Sequence, residues 1–130
     1  MAPNANFDLQ IVLNGLGQGI LIFDSDGQLV QNNLAAQTVL GNDLDIIRES
    51  GWNAVSTLFN ANQTNPDNFI DTICKRATEL QQPVRFNVFR SGEYVPCWAA
   101  GINNADGKSF MMITLDVPDW EALTNRLYRE

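Results

Sequence analysis

The chain of 130 residues contains no histidine. That absence removes the commonest general base, the usual axial haem ligand and the residue most often phosphorylated in phosphorelays. Basic residues are few, 8 Lys and Arg against 15 Asp and Glu, a formal net charge of −7. A nucleic-acid partner is therefore not expected, because binding to a phosphate backbone relies on clustered cations. Cysteine is scarce too. Cys74 and Cys97 fall in what reads as a helix and a strand, and nothing else suggests a secreted disulfide scaffold, so both are expected to be reduced core residues. No apolar run approaches the ~20 residues of a membrane span, and no secretory leader opens the chain, so neither membrane insertion nor export is expected. The expected location is cytoplasmic; a domain cut from a larger membrane protein would read the same. What is present is 45% hydrophobic residues, enough for one domain that buries roughly two thirds of its unfolded surface.

The most informative stretch runs from residue 19 to residue 40. Ile20, Leu21, Ile22 and Phe23 form a short run of β-formers, Ser25-Asp26-Gly27 supplies a tight turn, and Leu29 and Val30 resume the apolar pattern, which predicts a β-hairpin. Asn32 and Asn33 can cap a helix, Leu34, Ala35, Thr38 and Val39 fall at helical spacing, and Gly41 ends it. A strand, an Asp-x-Asp-Gly turn, a strand, an Asn and an Ala-rich short helix closed by Leu-Gly resembles the opening of PAS domains. The resemblance implies an α+β fold, a five-stranded antiparallel sheet in the order 2-1-5-4-3 with helices on one face. On that reading residues 1–18 are an N-terminal lead and amphipathic helix, 19–117 the PAS core, and 118–130 the start of an output or linker helix.

Ahead of the hairpin, Phe7, Leu9, Ile11, Val12, Leu13 and Leu16 cover more than one face of a helix, which therefore wants two partners. One is its own sheet; the other is a second copy of the chain, and these six residues are the expected dimer interface. Gly15, Gly17 and Gly19 are not read as a phosphate loop, since no strand precedes them and no Gly-Lys-Ser/Thr follows. Beyond Gly41 the clusters Leu44, Ile46, Ile47 and Trp52, Val55, Leu58, Phe59 are broken by Gly51 and polar residues, so short helices or turns are expected. Asn65-Pro66 predicts the start of a longer helix. Its apolar face is Phe69, Ile70, Ile73, Cys74, Ala77 and Leu80, and its wet face Asp71, Lys75, Arg76 and Glu79. Gln81-Gln82-Pro83 stops it.

Three strands follow, over 84–90, 93–102 and 109–117, with turns short enough to make them antiparallel neighbours. Val84, Phe86 and Val88 alternate with Arg85, Asn87 and Phe89, whereas residues 110–114 are apolar or neutral on both faces. The centre of the sheet must then be covered on both sides. The interior is expected to be filled by Ile20, Ile22, Leu34, Leu40, Ile73, Phe86, Trp98 and Ile113, leaving only small cavities. At the end, Asp116-Val117-Pro118-Asp119 reads as a helix start, and Trp120, Leu123 and Leu127 keep heptad spacing. PAS domains commonly end their last strand with Asp-Ile/Val-Thr before an output helix. Asp116 and Val117 match that pattern and Pro118 departs from it. Asp116, Trp120, Leu123 and Leu127 are thus the expected output residues. The stretch 115–128 also has a weaker resemblance to the PAS-like region associated with haem nitric-oxide-binding domains of guanylyl cyclases and bacterial sensor kinases.

No catalytic or metal-binding constellation emerges. Asp24 and Asp26 read as turn residues, and Asp43, Asp45 and Glu49 as a solvated face; no Cys and carboxylate set has metal-ligand spacing. Flavin-photoreceptor PAS domains place a reactive cysteine in Asn-Cys-Arg-Phe-Leu-Gln, which Ile73-Cys74-Lys75-Arg76-Ala77 does not match. No cofactor is expected. The resemblance implies a non-catalytic sensory and dimerisation module of a larger signalling protein of the histidine kinase or cyclase type. Its partners would be a second copy and other domains of the same protein. The alternative is a Roadblock- or profilin-like scaffold for protein–protein interaction. That fold needs one long helix between the hairpin and the last three strands.

Overall fold

The structure, a computed structural model, describes residues 13–61, 63–90 and 92–116. A hairpin of β1 (Gly19–Phe23) and β2 (Leu29–Asn32) opens the domain; the helices α1 (Leu34–Leu40), α2 (Asn42–Ser50) and α3 (Trp52–Phe59) follow. A 3-10 turn (Pro66–Asn68) and α4 (Ile70–Leu80) lead into β3 (Val84–Arg90), β4 (Glu93–Asn103) and β5 (Ser109–Leu115). The five strands form one sheet in the order β2-β1-β5-β4-β3, antiparallel at every junction, as the resemblance implied. Three helices separated by Gly41 and Gly51 stand where a Roadblock fold would need one.

The helices cover one face of the sheet. Leu21 and Phe23 of β1, Phe86 and Val88 of β3, Cys97 and Ala99 of β4, and Ile113 and Leu115 of β5 meet Leu40, Leu44, Ile47, Val55, Ile70 and Ile73 in a single buried cluster. Burying such side chains contributes about 1.5–3 kcal/mol each. Leu40, Ile73, Phe86 and Ile113 were expected inside and are. Three others correct the expectation. Strand parity decides it: Leu21 and Phe23 point inward, so Ile22, between them, points out and is only partly buried. Trp98 faces out for the same reason between Cys97 and Ala99, and Leu34, at the first turn of α1, is 56% exposed. Ile20 is buried but lies on the outer face, level with Thr114.

The helix expected to start at Pro66 starts later. Asn65 caps only the 3-10 turn, its side chain accepting from the Asp67 N–H at 3.0 Å. Phe69 is then extended, and the Asn60 side chain accepts from the Ile70 N–H at 2.8 Å to open α4. A side chain from the end of α3 thus outcompetes the local Asn-Pro signal. α4 ends on Gln81, in the left-handed region (φ 55°), with its N–H on Ala77 O, and Leu80, expected on the buried face, is 53% exposed.

Candidate functional site

Three features stand apart from the apolar cluster: the buried junction where the N-terminal segment joins the sheet, the sheet's outer face, and a cleft on the helical side. At the junction Asn33 is the one buried polar side chain among the described core residues, 1% exposed. Its Oδ1 accepts from the N–H of Ile20 (2.9 Å) and of Ala36 (3.1 Å), the second being the cap of α1. Its Nδ2 donates to Leu13 O (2.7 Å) and Gln18 O (2.8 Å). Asn14 adds a fifth link, its Oδ1 accepting from Leu34 N–H at 3.0 Å. The sequence marked Asn33 as a cap only; its two donated bonds reach back 20 and 15 positions, which no local pattern shows.

The register defines the outer face. One row runs Gln31, Ile22, Met112, Ala100; the next runs Ile20, Thr114, Trp98, Arg85. Phe110 with Ile102, Pro96 with Asn87, and Tyr94 with Phe89 complete it. Arg85 is the one charged side chain among these residues and lies 5.7 Å over the Trp98 ring, while Phe89 and Tyr94 meet edge to face at 5.1 Å. In a chain with 15 acidic residues, none of these paired residues is a carboxylate, and Asp116 stands at the edge, beside Pro96. This surface is partly open to water: Tyr94 is 65% and Val30 48% exposed. An apolar groove of about 270 Å³ lies between Ile22, Val30, Ile102 and Phe110.

Of the expected interface residues, Phe7, Leu9, Ile11 and Val12 lie outside the described residues. Leu13 is buried against its own domain and Leu16 is 45% exposed, so these two do not act alike. Of the output residues, Trp120, Leu123 and Leu127 lie outside the described residues, and Asp116 follows β5, its N–H donating to Pro96 O at 2.8 Å. Pro96 is tolerated inside the sheet because Asn87, its partner, turns its carbonyl to the free edge, where Gln63 Nε2 donates to it at 3.2 Å. On the other side the missing N–H of Pro96 falls just beyond Leu115, the end of the β4–β5 ladder.

On the helical side a cleft of about 550 Å³ opens between α4 and the two hairpin loops, lined by Asp24, Ser25, Thr78, Gln81, Asn103 and Ser109 among others. Beside it Trp52 Nε1 donates to Asp71 Oδ1 at 2.6 Å and the Trp52 ring meets Phe23 edge to face at 5.0 Å. The sequence placed Asp71 on the wet face of its helix, where it does lie, without its indole partner. Asp24 serves its turn, Oδ1 accepting from the N–H of Asp26 and Gln28 at 3.0 and 2.9 Å. Cys74 and Cys97 are both buried and neither is in a disulfide. Burial, and secondarily the Asp71 carboxylate, push the Cys74 thiol up from its ordinary 9.0 to about 12, the reverse of what a nucleophilic cysteine needs. Among the described residues no group of three or more Cys or carboxylate side chains is placed to hold a metal ion.

No protein-family model matches the chain, and no curated protein matches it by sequence. Solved structures do. The PAS domain of nitrogen regulation protein NR(II) from Vibrio parahaemolyticus is similar over 84% of this chain and 97% of its own, at 13% identity and a TM-score of 0.55. A domain of a sensory box sensor histidine kinase/response regulator from Geobacter sulfurreducens is similar over 89% and 99%, at 18% identity and 0.55. An RNA-binding Light-Oxygen-Voltage receptor is similar over all of this chain and 39% of its own, at 15% identity and 0.62. The strand order, the helices on one face and these neighbours agree: the chain has the fold of PAS domains.

Proposed function

We propose that this domain is a non-catalytic sensory and dimerisation module of a larger cytoplasmic signalling protein, coupling dimer geometry or ligand state to a C-terminal helix. The observation that carries the reading is the outer face of the sheet, largely apolar on a strongly acidic chain, with a carboxylate only at its edge, at Asp116. A soluble domain rarely leaves such a surface uncovered. The N-terminal segment, tied to the core at Leu13, is rich in apolar residues from Phe7 to Val12, and in a symmetric pair each copy's segment covers the other's sheet. Asp116 leaves β5 beside Pro96, at the edge of the same surface, so a change in how two copies pair reaches the segment carrying Trp120, Leu123 and Leu127. PAS-fold neighbours from sensor histidine kinases support the signalling context.

The test is light scattering at micromolar concentration on the wild type and on two single variants. Phe7→Asp changes the segment, and Met112→Lys the sheet it would cover. Dimeric wild type and two folded monomeric variants are expected. Monomeric wild type, or dimers that survive both changes, would overturn the reading.

A further inference from the structure

We propose that the peptide between Asn14 and Gly15 is a site of spontaneous covalent conversion, at which the asparagine closes to a succinimide and reopens as aspartate or isoaspartate. We infer further that the isoaspartate form loosens the N-terminal segment from the core. This does not rest on the dimer reading.

Asn14-Gly15 is the one Asn-Gly pair in the sequence. Both residues are exposed, and Gly15 opens a run of turn and bend that lasts to Gln18. Glycine has no Cβ to hinder its own nitrogen from swinging toward the preceding side chain, and Asn14, the last helical residue before that run, can reach the geometry when the helix end opens locally. In the first step the Gly15 backbone nitrogen gives its proton to solvent base and attacks Asn14 Cγ. A C–N bond forms, the Cγ–Nδ2 bond breaks, and the side-chain nitrogen leaves as ammonia. Water then adds to one of the two ring carbonyls. Opening at one side gives aspartate; opening at the other gives isoaspartate, whose main chain runs through the former side chain. Nothing is oxidised or reduced.

The two products differ at the junction. Aspartate keeps an oxygen where Asn14 Oδ1 accepts from Leu34 N–H at 3.0 Å. Isoaspartate adds one methylene to the main chain between Leu13 and Gln18. Both of those carbonyls are held on the same Asn33 Nδ2, at 2.7 and 2.8 Å. The extra methylene redirects the chain after residue 14 and shifts Leu13 O relative to Gln18 O, and the loosening is the loss of the Asn33 bond to Leu13 O, the one that ties the N-terminal segment.

The test holds the full chain in mildly alkaline buffer at body temperature and follows it by peptide mass mapping. A gain of one mass unit on the peptide containing residue 14 is expected, ahead of any at Asn42 or Asn53, whose following residues carry side chains. Gly15→Ala is expected to slow it by about tenfold, the effect of about 1.4 kcal/mol on the barrier, and Gly17→Ala to leave the rate unchanged. The separated isoaspartyl fraction should exchange its amide hydrogens over residues 13–20 faster than fresh protein, whereas Asn14→Asp should not. Conversion no faster at residue 14 than at Asn42 and Asn53 would overturn the site. An isoaspartyl fraction that exchanges like fresh protein, or Asn14→Asp exchanging as fast as it, would overturn the loosening.

Discussion

Asn33 shows how much one side chain can decide. Four of its hydrogen bonds join the N-terminal segment, β1 and α1 at a point where water does not reach, and leaving such partners unmade costs far more than the net gain of making them. Asn33→Ala is expected to cost about 3 kcal/mol, the loss of a cap plus unsatisfied buried groups, measured by urea unfolding. Asn33→Ser, which can still cap but cannot donate to two carbonyls, should recover less than half of that. Cys74 is a case of the opposite kind, a titratable group with no chemistry to perform. Its folded pKa of about 12 lies above the ordinary 9.0, so the thiol favours the folded state fully below pH 9 and loses that contribution as pH rises from there through 12. Cys74→Ala should flatten the fall in stability over that range. A thiol reagent at neutral pH should modify Cys74 in wild type only as fast as the domain opens.

Among the elements, the junction between α2 and α3 has the least freedom. Gly51 adopts φ 65° and lies so close to the first hairpin that an added Cβ would sit 2.4 Å from Gly27 O, which in turn accepts the Trp52 N–H at 2.7 Å. Gly51→Ala should therefore strain both the left-handed backbone and a backbone contact, and is expected to cost about 2–4 kcal/mol, at the upper end for a single change. Thermal unfolding measures it. Gly41→Ala serves as a comparison: it also has positive φ (55°), but an added Cβ meets nothing within 4 Å, so about 1 kcal/mol is expected. Trp52, next along, pins three elements together through Gly27, Phe23 and Asp71. Trp52→Phe keeps the ring contact and loses the Nε1 bond, an expected loss of about 1 kcal/mol.

For the whole molecule the question is what lies on the far side of the sheet. The inner face is closed by four helices, and the outer face offers Ile22, Phe110, Met112, Trp98 and Tyr94 with Arg85 as the one charge among its paired described residues. If a second copy covers it, the paired surface should approach the standard size of about 1,600 Å², and association at micromolar concentration follows. Such a dimer should persist at high salt, because it joins apolar surfaces rather than opposite charges. Sedimentation in low and high salt checks this, and a dimer that dissociates as salt rises would point to an electrostatic interface. Leu13 is a poor place to test the pairing. It is buried within its own domain, so Leu13→Asp should unfold the junction whether or not a partner is present.

The sequence by itself determined the elements and their order. Asp24 to Gly27 writes its own turn, glycines at 41 and 51 cut the middle of the chain into short helices, and period-two alternation in β3 marks Phe86 and Val88 as inward. These are local signals, carried by backbone conformation and by side chains a few positions apart. The fold class and strand order came from the resemblance carried by the stretch from residue 19 to residue 40, and the sheet bears both out. Only the tertiary structure decided which way the strands apolar on both faces would turn. With Ile20, Leu21, Ile22 and Phe23 in a row, either parity looks equally apolar, and it is packing against α1 to α4 that assigns Leu21 and Phe23 to the core and Ile22 to the outside. The same holds for the start of α4, taken from Asn65 by the side chain of Asn60, and for the second role of Asn33. Both depend on groups brought together across 10 to 20 positions of chain, a distance over which sequence pattern carries no geometry and folding supplies it.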